Sequence, residues 1–219
     1  MKKRIACLHA HYSNIQYIEN ALSSDELELI HFVDPGLMSR ISSDKNFDEV
    51  QAQNKVIEQI EWMSQANVEA ILITCTNYIA LLDENRLNTT IPIIKIDEPF
   101  FDSICNITEP QIVLFTNPAT VEGTMRRLNE FATIHGKPIP DIEVRVVEDA
   151  FELIMQGKNE QYVEQLSKYI KGVFASDKNK KISVAQLSMV ETAVKVEREL
   201  NVKIGNPLDS LILNFEDLL

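Results

Sequence analysis

A single cysteine is the residue of this sequence best placed to do chemistry. Cys75 lies in the stretch ILITCTNYIALL (71–82), where an apolar run typical of a buried strand ends and a second apolar run begins. The N–H groups and the dipole at a helix N-terminus favour an anion, and such positions lower a cysteine pKa from about 8.5 to roughly 3.5–7.5. A thiolate at this position could serve as a base or a nucleophile. The alternative is that Cys75 is simply a small apolar side chain.

Polar residues follow three other apolar runs in the same way. They are His9 and His11 after the first run, Thr116 and Asn117 after a later one, and Gln186 and Ser188 near the C-terminus. Hydroxyl, amide and backbone N–H donors at helix starts form anion sites, so these positions suit a carboxylate ligand. Ordinary turn and capping chemistry is the alternative for Thr116 and Asn117, and a surface or loop position is the alternative for the histidines.

Composition limits the classes of function. The formal net charge of −12 in 219 residues argues against nucleic acid as a partner, because phosphate contacts need a basic face. The three cysteines (Cys7, Cys75 and Cys105) are too scattered for a disulfide framework or a zinc motif, and His9 and His11 have no evident third metal ligand. No signal peptide or membrane span is evident. We therefore expect a cytoplasmic protein with no metal site, no nucleic-acid partner and no membrane partner.

Short apolar runs alternate with amphipathic stretches along the chain, which predicts an α/β fold with mainly parallel sheets. The predicted strands are 4–8, 27–33, 70–74, 91–96, 111–115, 142–147, 182–185 and 202–204. The clearest helices are 47–65 and 161–175. In the first of them, Val50, Ile57, Ile60 and Trp62 lie at helical spacings and are expected to form its apolar pattern.

The two halves of the chain carry similar segments in the same order. The pairs are 5–14 with 112–120, 26–40 with 141–155, 68–87 with 180–200, and 91–104 with 202–212. This order indicates a duplicated α/β unit, although strand–helix units recur in any α/β protein. Two such halves around a pseudo-twofold axis would place a ligand in the cleft between them, outside the carboxyl ends of the strands.

Five motifs resemble those of the aspartate/glutamate racemase superfamily, which includes hydantoin racemases, maleate isomerases and arylmalonate decarboxylases. They are TCTNY (74–78), IPIIKIDEP (91–99), LFTNPATVEGT (114–124), VEDAFELIMQG (147–157) and VAQLSMV (184–190). The resemblance covers nearly the whole chain. It implies two pseudo-symmetric subdomains, formed by residues 1–97 with 206–219 and by residues 98–205. It also implies proton transfer by cysteines without a cofactor, and makes a homodimer plausible.

The resemblance also assigns roles to single residues. Cys75 matches the first catalytic cysteine, and Thr76 and Asn77 match its neighbours, which bind a substrate carboxylate. Thr116 and Asn117 resemble a second carboxylate-binding pair, and His9 and His11 occupy a turn that contacts substrate. The departure is Gln186, which stands where a racemase of this family has its second cysteine.

The loss of that second thiol leaves three functions open. Glutamine cannot exchange a proton near neutral pH, and an unassisted serine such as Ser188 is a poor acid or base. Glu98 could be the missing base, although capping is the simpler role. The first expectation is a racemase-like isomerase that moves a proton next to a small carboxylate, with Ser188 helping to bind it. The alternatives are a decarboxylase or lyase that uses one thiol, and a carboxylate-binding protein without activity.

Overall fold

The computed structural model describes residues 2–215, and the chain divides into two compact units. Unit 1 comprises the described residues up to Asp97 together with those from Ile212 onward, and unit 2 comprises Glu98–Leu211. Met1 and residues 216–219, which the predicted first subdomain includes, lie outside the described residues.

Unit 1 is built on a parallel sheet of four strands in the order β2-β1-β3-β4. The strands are β1 (Lys3–His9), β2 (Leu27–Val33), β3 (Ala70–Ile73) and β4 (Ile93–Lys95). The helices that connect them are α1 (Asn14–Leu22), α2 (Gly36–Ser43), α3 (Glu49–Ser64) and α4 (Thr76–Leu81), with a short 3₁₀ turn at Glu84–Arg86. Both β1 and β3 are central strands, and their apolar runs are fully buried, as expected for a parallel sheet covered on both faces.

Helix α3 begins at a capping box. The Asp48 carboxylate accepts the N–H of Gln51, and the Gln51 side chain accepts the N–H of Asp48, which satisfies two backbone donors at the helix start. The buried face consists of Ala52, Val56, Ile60 and Met63. The predicted apolar pattern was therefore wrong in part: Val50 and Trp62 lie on the exposed face, because the buried face repeats at spacings of three and four from Ala52, and neither residue falls on it.

Unit 2 has a parallel sheet of three strands in the order β6-β5-β7. The strands are β5 (Gln111–Phe115), β6 (Ile142–Val146) and β7 (Lys181–Val184). The helices of this part of the chain are α5 (Glu98–Cys105), α6 (Val121–Ile134), α7 (Ala150–Met155), α8 (Asn159–Ser176), α9 (Leu187–Leu200) and α10 (Pro207–Asn214), and a 3₁₀ turn lies at Pro118–Thr120. Helices α8 and α9 pack Leu166, Ile170 and Ala193 into the core of this unit.

The predicted eighth strand, 202–204, was wrong. This segment leaves α9 through Asn201, whose φ of 52° is left-handed. The N–H of Ile204 donates to Oε1 of Glu197 at 2.6 Å, so it is not available to a strand ladder. This segment pairs with β7 at Gly205, which forms a single parallel bridge with Ser183.

The fold class predicted from the sequence is confirmed: the protein is α/β with two parallel sheets flanked by helices. The sheets also correspond strand by strand, since β2-β1-β3 in unit 1 has the same order and chain sequence as β6-β5-β7 in unit 2. The carboxyl ends of parallel strands lie at one edge of each sheet, and they carry the candidate functional residues. Among the helices of residues 2–215, none is both long enough and apolar enough to cross a membrane.

Candidate active site

Cys75 lies at the junction that the sequence predicts. Strand β3 ends at Ile73, Cys75 is the N-cap residue of α4, and Thr76 is the first residue of that helix. Tyr78, which is fully buried, donates its hydroxyl to the carbonyl oxygen of Asp34 at 2.7 Å and so ties α4 to the end of β2. Cys75 and Thr76 are partly exposed and Asn77 is exposed, so the tip of the junction can be reached by a ligand.

The junction does not make Cys75 acidic, contrary to the effect expected of a helix N-terminus. Burial of the thiol raises its pKa, and the backbone N–H groups of Asn77 and Tyr78 lower it by less. Neither N–H makes a full capping hydrogen bond with Sγ. The negative charge of Asp97, which is buried in the same unit, raises the pKa further. Cys75 is therefore a thiol, rather than a thiolate, in the resting protein.

His9 is completely buried and both of its ring nitrogens have partners. Its Nδ1 lies 2.8 Å from the hydroxyl of Thr74, and its Nε2 lies 2.8 Å from Nδ1 of His31. His31 Nε2 in turn lies 2.9 Å from Oε1 of Glu19 on α1. Hydrogen bonds from Ser23 and His31 lower the pKa of the Glu19 carboxyl. A polar chain thus runs from the surface at Glu19 to the residue that precedes Cys75.

Sequence reasoning missed His31 and Glu19, and it grouped His9 with His11. His11 is exposed, and its Nδ1 accepts the N–H of Ser13 at 3.2 Å. His31 could have been noticed as a lone histidine within the apolar run LELIHFV. Its relation to His9 depends on the register of β1 and β2, which pairs Cys7 with His31 and His9 with Val33.

In unit 2 three donors of Thr116 and Asn117, which the sequence predicts to bind an anion, converge on one oxygen of the protein itself. The side-chain carbonyl oxygen of Gln186 accepts the N–H of Thr116 at 2.7 Å, the hydroxyl of Thr116 at 2.9 Å and the N–H of Asn117 at 3.0 Å. Gln186 is the N-cap residue of α9, directly after β7. Three donors on one oxygen is the arrangement that an oxyanion requires, so the amide oxygen occupies the position that a ligand oxygen would take.

The other predicted residues of unit 2 have structural partners. Asn117 caps the 3₁₀ turn, because its side-chain oxygen accepts the N–H of Ala119 at 3.1 Å. The Ser188 hydroxyl is partly exposed and lies 3.3 Å from the donating hydroxyl of Tyr162. A hydroxyl donor does not activate serine as a nucleophile or base, which requires an acceptor such as histidine.

Two acidic residues near the strand ends, Asp34 and Glu98, lie at helix starts. Asp34 accepts the N–H of Gly36 at 2.8 Å and so caps the start of α2. Glu98 is the first residue of α5, where a negative charge is favourable.

Cys105, at the end of α5, packs with Phe100 and Phe101 in a buried cluster, which agrees with a structural role.

Comparisons with known proteins were made with the sequence and with the fold. No family model matches the sequence, and no curated protein sequence matches it. Aspartate racemase from Picrophilus torridus matches the structure with a TM-score of 0.70 and 11% identity, over 99% of this chain and 94% of that one. Glutamate racemase from Francisella tularensis, solved with D-glutamate, matches with a TM-score of 0.66 and 16% identity, over 100% and 83% of the two chains.

A decarboxylase also shares the fold. A mutant of arylmalonate decarboxylase in a sulfate-associated form matches with a TM-score of 0.60 and 13% identity, over 98% of this chain and 92% of that one. At such identities the likeness concerns the fold, and it agrees with the resemblance found in the sequence motifs. The chain has the fold of the aspartate/glutamate racemase superfamily.

Proposed function

We propose that this protein is a racemase-like isomerase that moves a proton at the carbon next to the carboxylate of a small acid, without a cofactor. The observation that carries the proposal is the position of Cys75, a partly exposed residue at the N-cap of α4, directly after a central strand of a racemase-type fold. The hydroxyl of Thr76 and the amide of Asn77 are the groups beside it that would bind the carboxylate.

The protonation of Cys75 shapes this mechanism. Burial and the nearby Asp97 raise the pKa of the thiol, so Cys75 must lose its proton before it can act as a base. The N–H groups of Asn77 and Tyr78 favour the thiolate, and they act on the charge wherever it forms during the reaction. In the opposite direction, the resting thiol can deliver a proton to a carbanion without prior activation.

Gln186 determines what unit 2 contributes. We propose that Thr116 and Asn117 bind a substrate oxygen, with Ser188 and Gln186 nearby. The Gln186 amide oxygen already accepts hydrogen bonds from Thr116 and Asn117. The Gln186 side chain must therefore turn away before these two residues can donate to a carboxylate. His11 is exposed and can reach a ligand. The buried His9 contacts the Thr74 hydroxyl and would hold the Thr74–Cys75 turn in position.

Proton NMR in deuterated water tests the central role of Cys75. Wild type and Cys75→Ala are incubated with a panel of small amino and dicarboxylic acids, with Cys105→Ala as the matched control for loss of a cysteine elsewhere. Loss of an α-proton signal with wild type and Cys105→Ala, but not with Cys75→Ala, is the expected result. Equal exchange by wild type and Cys75→Ala would refute the mechanism. The optical purity of the product then separates racemisation from one-sided exchange.

A second candidate is a decarboxylase that uses the same thiol as an acid. It is favoured by the raised pKa of Cys75 and by a glutamine where a second thiol would stand, because protonating the carbanion left by carbon dioxide needs only one acid. Incubation with substituted malonic acids distinguishes it. Release of carbon dioxide with one proton or deuteron incorporated supports the lyase, and intact dicarboxylates with α-exchange support the isomerase.

A third candidate is a carboxylate-binding protein without catalysis. The identity of residue 186 favours it, because Gln186 gives unit 2 an amide at the position where proton exchange would need a thiol. Calorimetric binding of a small carboxylate, with no turnover and with unchanged affinity in Cys75→Ser, would support this function.

A further inference from the structure

Three potential metal ligands lie on one face of the sheet in unit 1, beneath α1. Cys7 and His9 are two residues apart on β1, so both side chains point to the same face. The parallel register places His31 of β2 directly beside Cys7. Glu19 of α1 contacts His31 from above, which identifies the face as the one that α1 covers.

The ligand atoms of Cys7, His9 and His31 converge. The sulfur and one nitrogen from each ring lie within 4.8 Å of one another. The two nitrogens that face each other, His9 Nε2 and His31 Nδ1, are 2.8 Å apart. Cys7 and His9 are fully buried, and the His31 side chain is 14% exposed. The Cys7 thiol has only a weak contact, 3.9 Å from the carbonyl oxygen of Ile5.

The outer nitrogens of both histidines are held by groups that accept a hydrogen. His31 Nε2 faces the Glu19 carboxylate, so it must carry a hydrogen, and in a neutral ring His31 Nδ1 then presents a lone pair to His9. His9 Nδ1 faces the Thr74 hydroxyl, which lies 3.1 Å from the carbonyl oxygen of Leu8. If that hydroxyl donates to Leu8, His9 Nδ1 must also carry a hydrogen, and with both rings neutral two lone pairs face each other.

Two facing lone pairs need a cation between them. A carboxylate or hydroxyl on the outer nitrogen of each ring is the usual support for histidines that bind a metal through the other nitrogen. A cysteine sulfur beside two imidazole nitrogens is a donor set that suits zinc and similar borderline metals better than magnesium or calcium.

We propose that Cys7 Sγ, His9 Nε2 and His31 Nδ1 bind a divalent transition-metal ion, Zn²⁺ in the first instance. Binding releases the proton of the Cys7 thiol to solvent, so the site becomes a thiolate and two neutral imidazoles around one cation. Three protein donors leave one coordination position for water. Zinc–ligand bonds of about 2.0–2.3 Å require the two ring nitrogens to separate slightly from their 2.8 Å contact.

The site would have a structural consequence for the candidate active site. Thr74 contacts His9 and directly precedes Cys75, so a metal on His9 would fix the end of β3 from below. The proposal concerns metal binding and does not depend on the reaction assigned to Cys75.

Metal binding can be measured without a substrate. Chelator-treated full-length protein is titrated with Co²⁺ and Zn²⁺, with absorption spectra for Co²⁺, metal content after dialysis, and competition for Zn²⁺ affinity. We expect about one metal per chain and a thiolate-to-cobalt absorption band. Cys7→Ser should remove that band and weaken Zn²⁺ binding at least about 100-fold. Glu19→Gln, which removes the carboxylate that holds the outer nitrogen of His31, should weaken it about 10- to 100-fold.

Matched controls separate this site from the other cysteines. Cys75→Ser and Cys105→Ser should bind metal as wild type does, with the same spectrum. His31→Gln is the second variant if Cys7→Ser does not fold, because His31 lies at the margin of the buried site. Binding of less than stoichiometric metal by wild type, or equal affinity in wild type and Cys7→Ser, would overturn the proposal. The His9–His31 contact would then be an ordinary hydrogen bond, with the Thr74 hydroxyl donating to His9.

Discussion

The two units place different chemistry at the same point of the same framework. In unit 1 the chain passes from β3 to α4 through Cys75, and in unit 2 it passes from β7 to α9 through Gln186. Both residues are N-caps in extended conformation at the end of a strand that borders the central β1 or β5. The short thiol stays over its own helix start, whereas the longer amide reaches the end of β5 and takes the donors of Thr116 and Asn117.

This difference shows that two sheets with the same strand order can carry different chemistry at corresponding positions. Unit 1 has a side chain that can exchange protons, Cys75. In unit 2, Gln186 supplies a neutral oxygen to donors that would otherwise attract an anion. The backbone needs no change for this, because both residue types fit the same N-cap position.

The largest effect on stability is expected when the Gln186 side chain is removed. Gln186→Ala breaks three hydrogen bonds worth about 1 kcal/mol each, so the free energy of unfolding should fall by up to about 3 kcal/mol. Urea unfolding measures the loss, with Ser188→Ala as the control in the same turn. Added formate or acetate should stabilise Gln186→Ala more than wild type, because the anion can replace the amide oxygen. Equal responses would show that the donors do not form an anion site.

A substitution at Gly205 tests how closely the segment after α9 approaches β7 in unit 2, whose sheet has three strands. A Cβ at this position would lie 2.4 Å from Oγ and 3.2 Å from Cβ of Ser183, so Gly205→Ala should cost about 2 kcal/mol of unfolding free energy. Ser183→Ala should partly rescue it. Gly172→Ala in α8 is the control: its Cβ meets nothing within 4 Å, and the change should stabilise by about 0.5–1 kcal/mol. If Gly205→Ala leaves the free energy of unfolding unchanged, the chain can move away from β7.

Helices α3 and α8 occupy corresponding places before β3 and β7, but only α3 has a side-chain cap. Asp48→Ala should lower the free energy of unfolding by about 1 kcal/mol, since it removes the acceptor for the Gln51 N–H. Lys158→Ala at the N-cap of α8 should have almost no effect, because Lys158 makes no side-chain cap. Similar values for the two variants in thermal unfolding would contradict the role given to the capping box.

The smallest expected effect concerns the pKa of Cys75. A raised pKa means that the thiolate fraction at neutral pH is below that of free cysteine, so the rate of iodoacetamide modification should still be rising above pH 9.0. Asp97→Asn removes a negative charge that raises this pKa, so the midpoint should move to lower pH. Asp83→Asn, at an exposed turn of the same unit, is the charge-matched control. An unchanged or higher midpoint in Asp97→Asn would show that burial alone sets the pKa.

Much of the fold followed from local patterns. Seven of the eight predicted strands exist, because runs such as 70–74 and 111–115 are apolar on both faces and end at polar junctions. The exception, 202–204, has the composition of a strand, but a side chain outside the segment takes one of its backbone donors. Glu197 competes with a neighbouring strand for the N–H of Ile204, and this competition is not visible in residues 202–204 themselves.

The candidate site was less predictable. Local sequence placed Cys75, Thr116, Asn117 and Gln186 at strand ends, where the structure has them. It could not give the direction of the Cys75 pKa, because burial of the thiol depends on packing around it from distant segments. It also could not show that Gln186 reaches Thr116, 70 residues away in the chain.

The amino-acid sequence by itself determined the α/β class, the parallel sheets and the strand ends that carry polar residues, because these depend on periodicity and on residues next to each other. Only the tertiary structure decided which of those residues meet. The register of β1 against β2 brings Cys7, His9 and His31 together, and the packing of β5 beside β7 gives Gln186 its three donors. Register and packing arise from contacts between distant segments, and a single sequence does not contain their geometry.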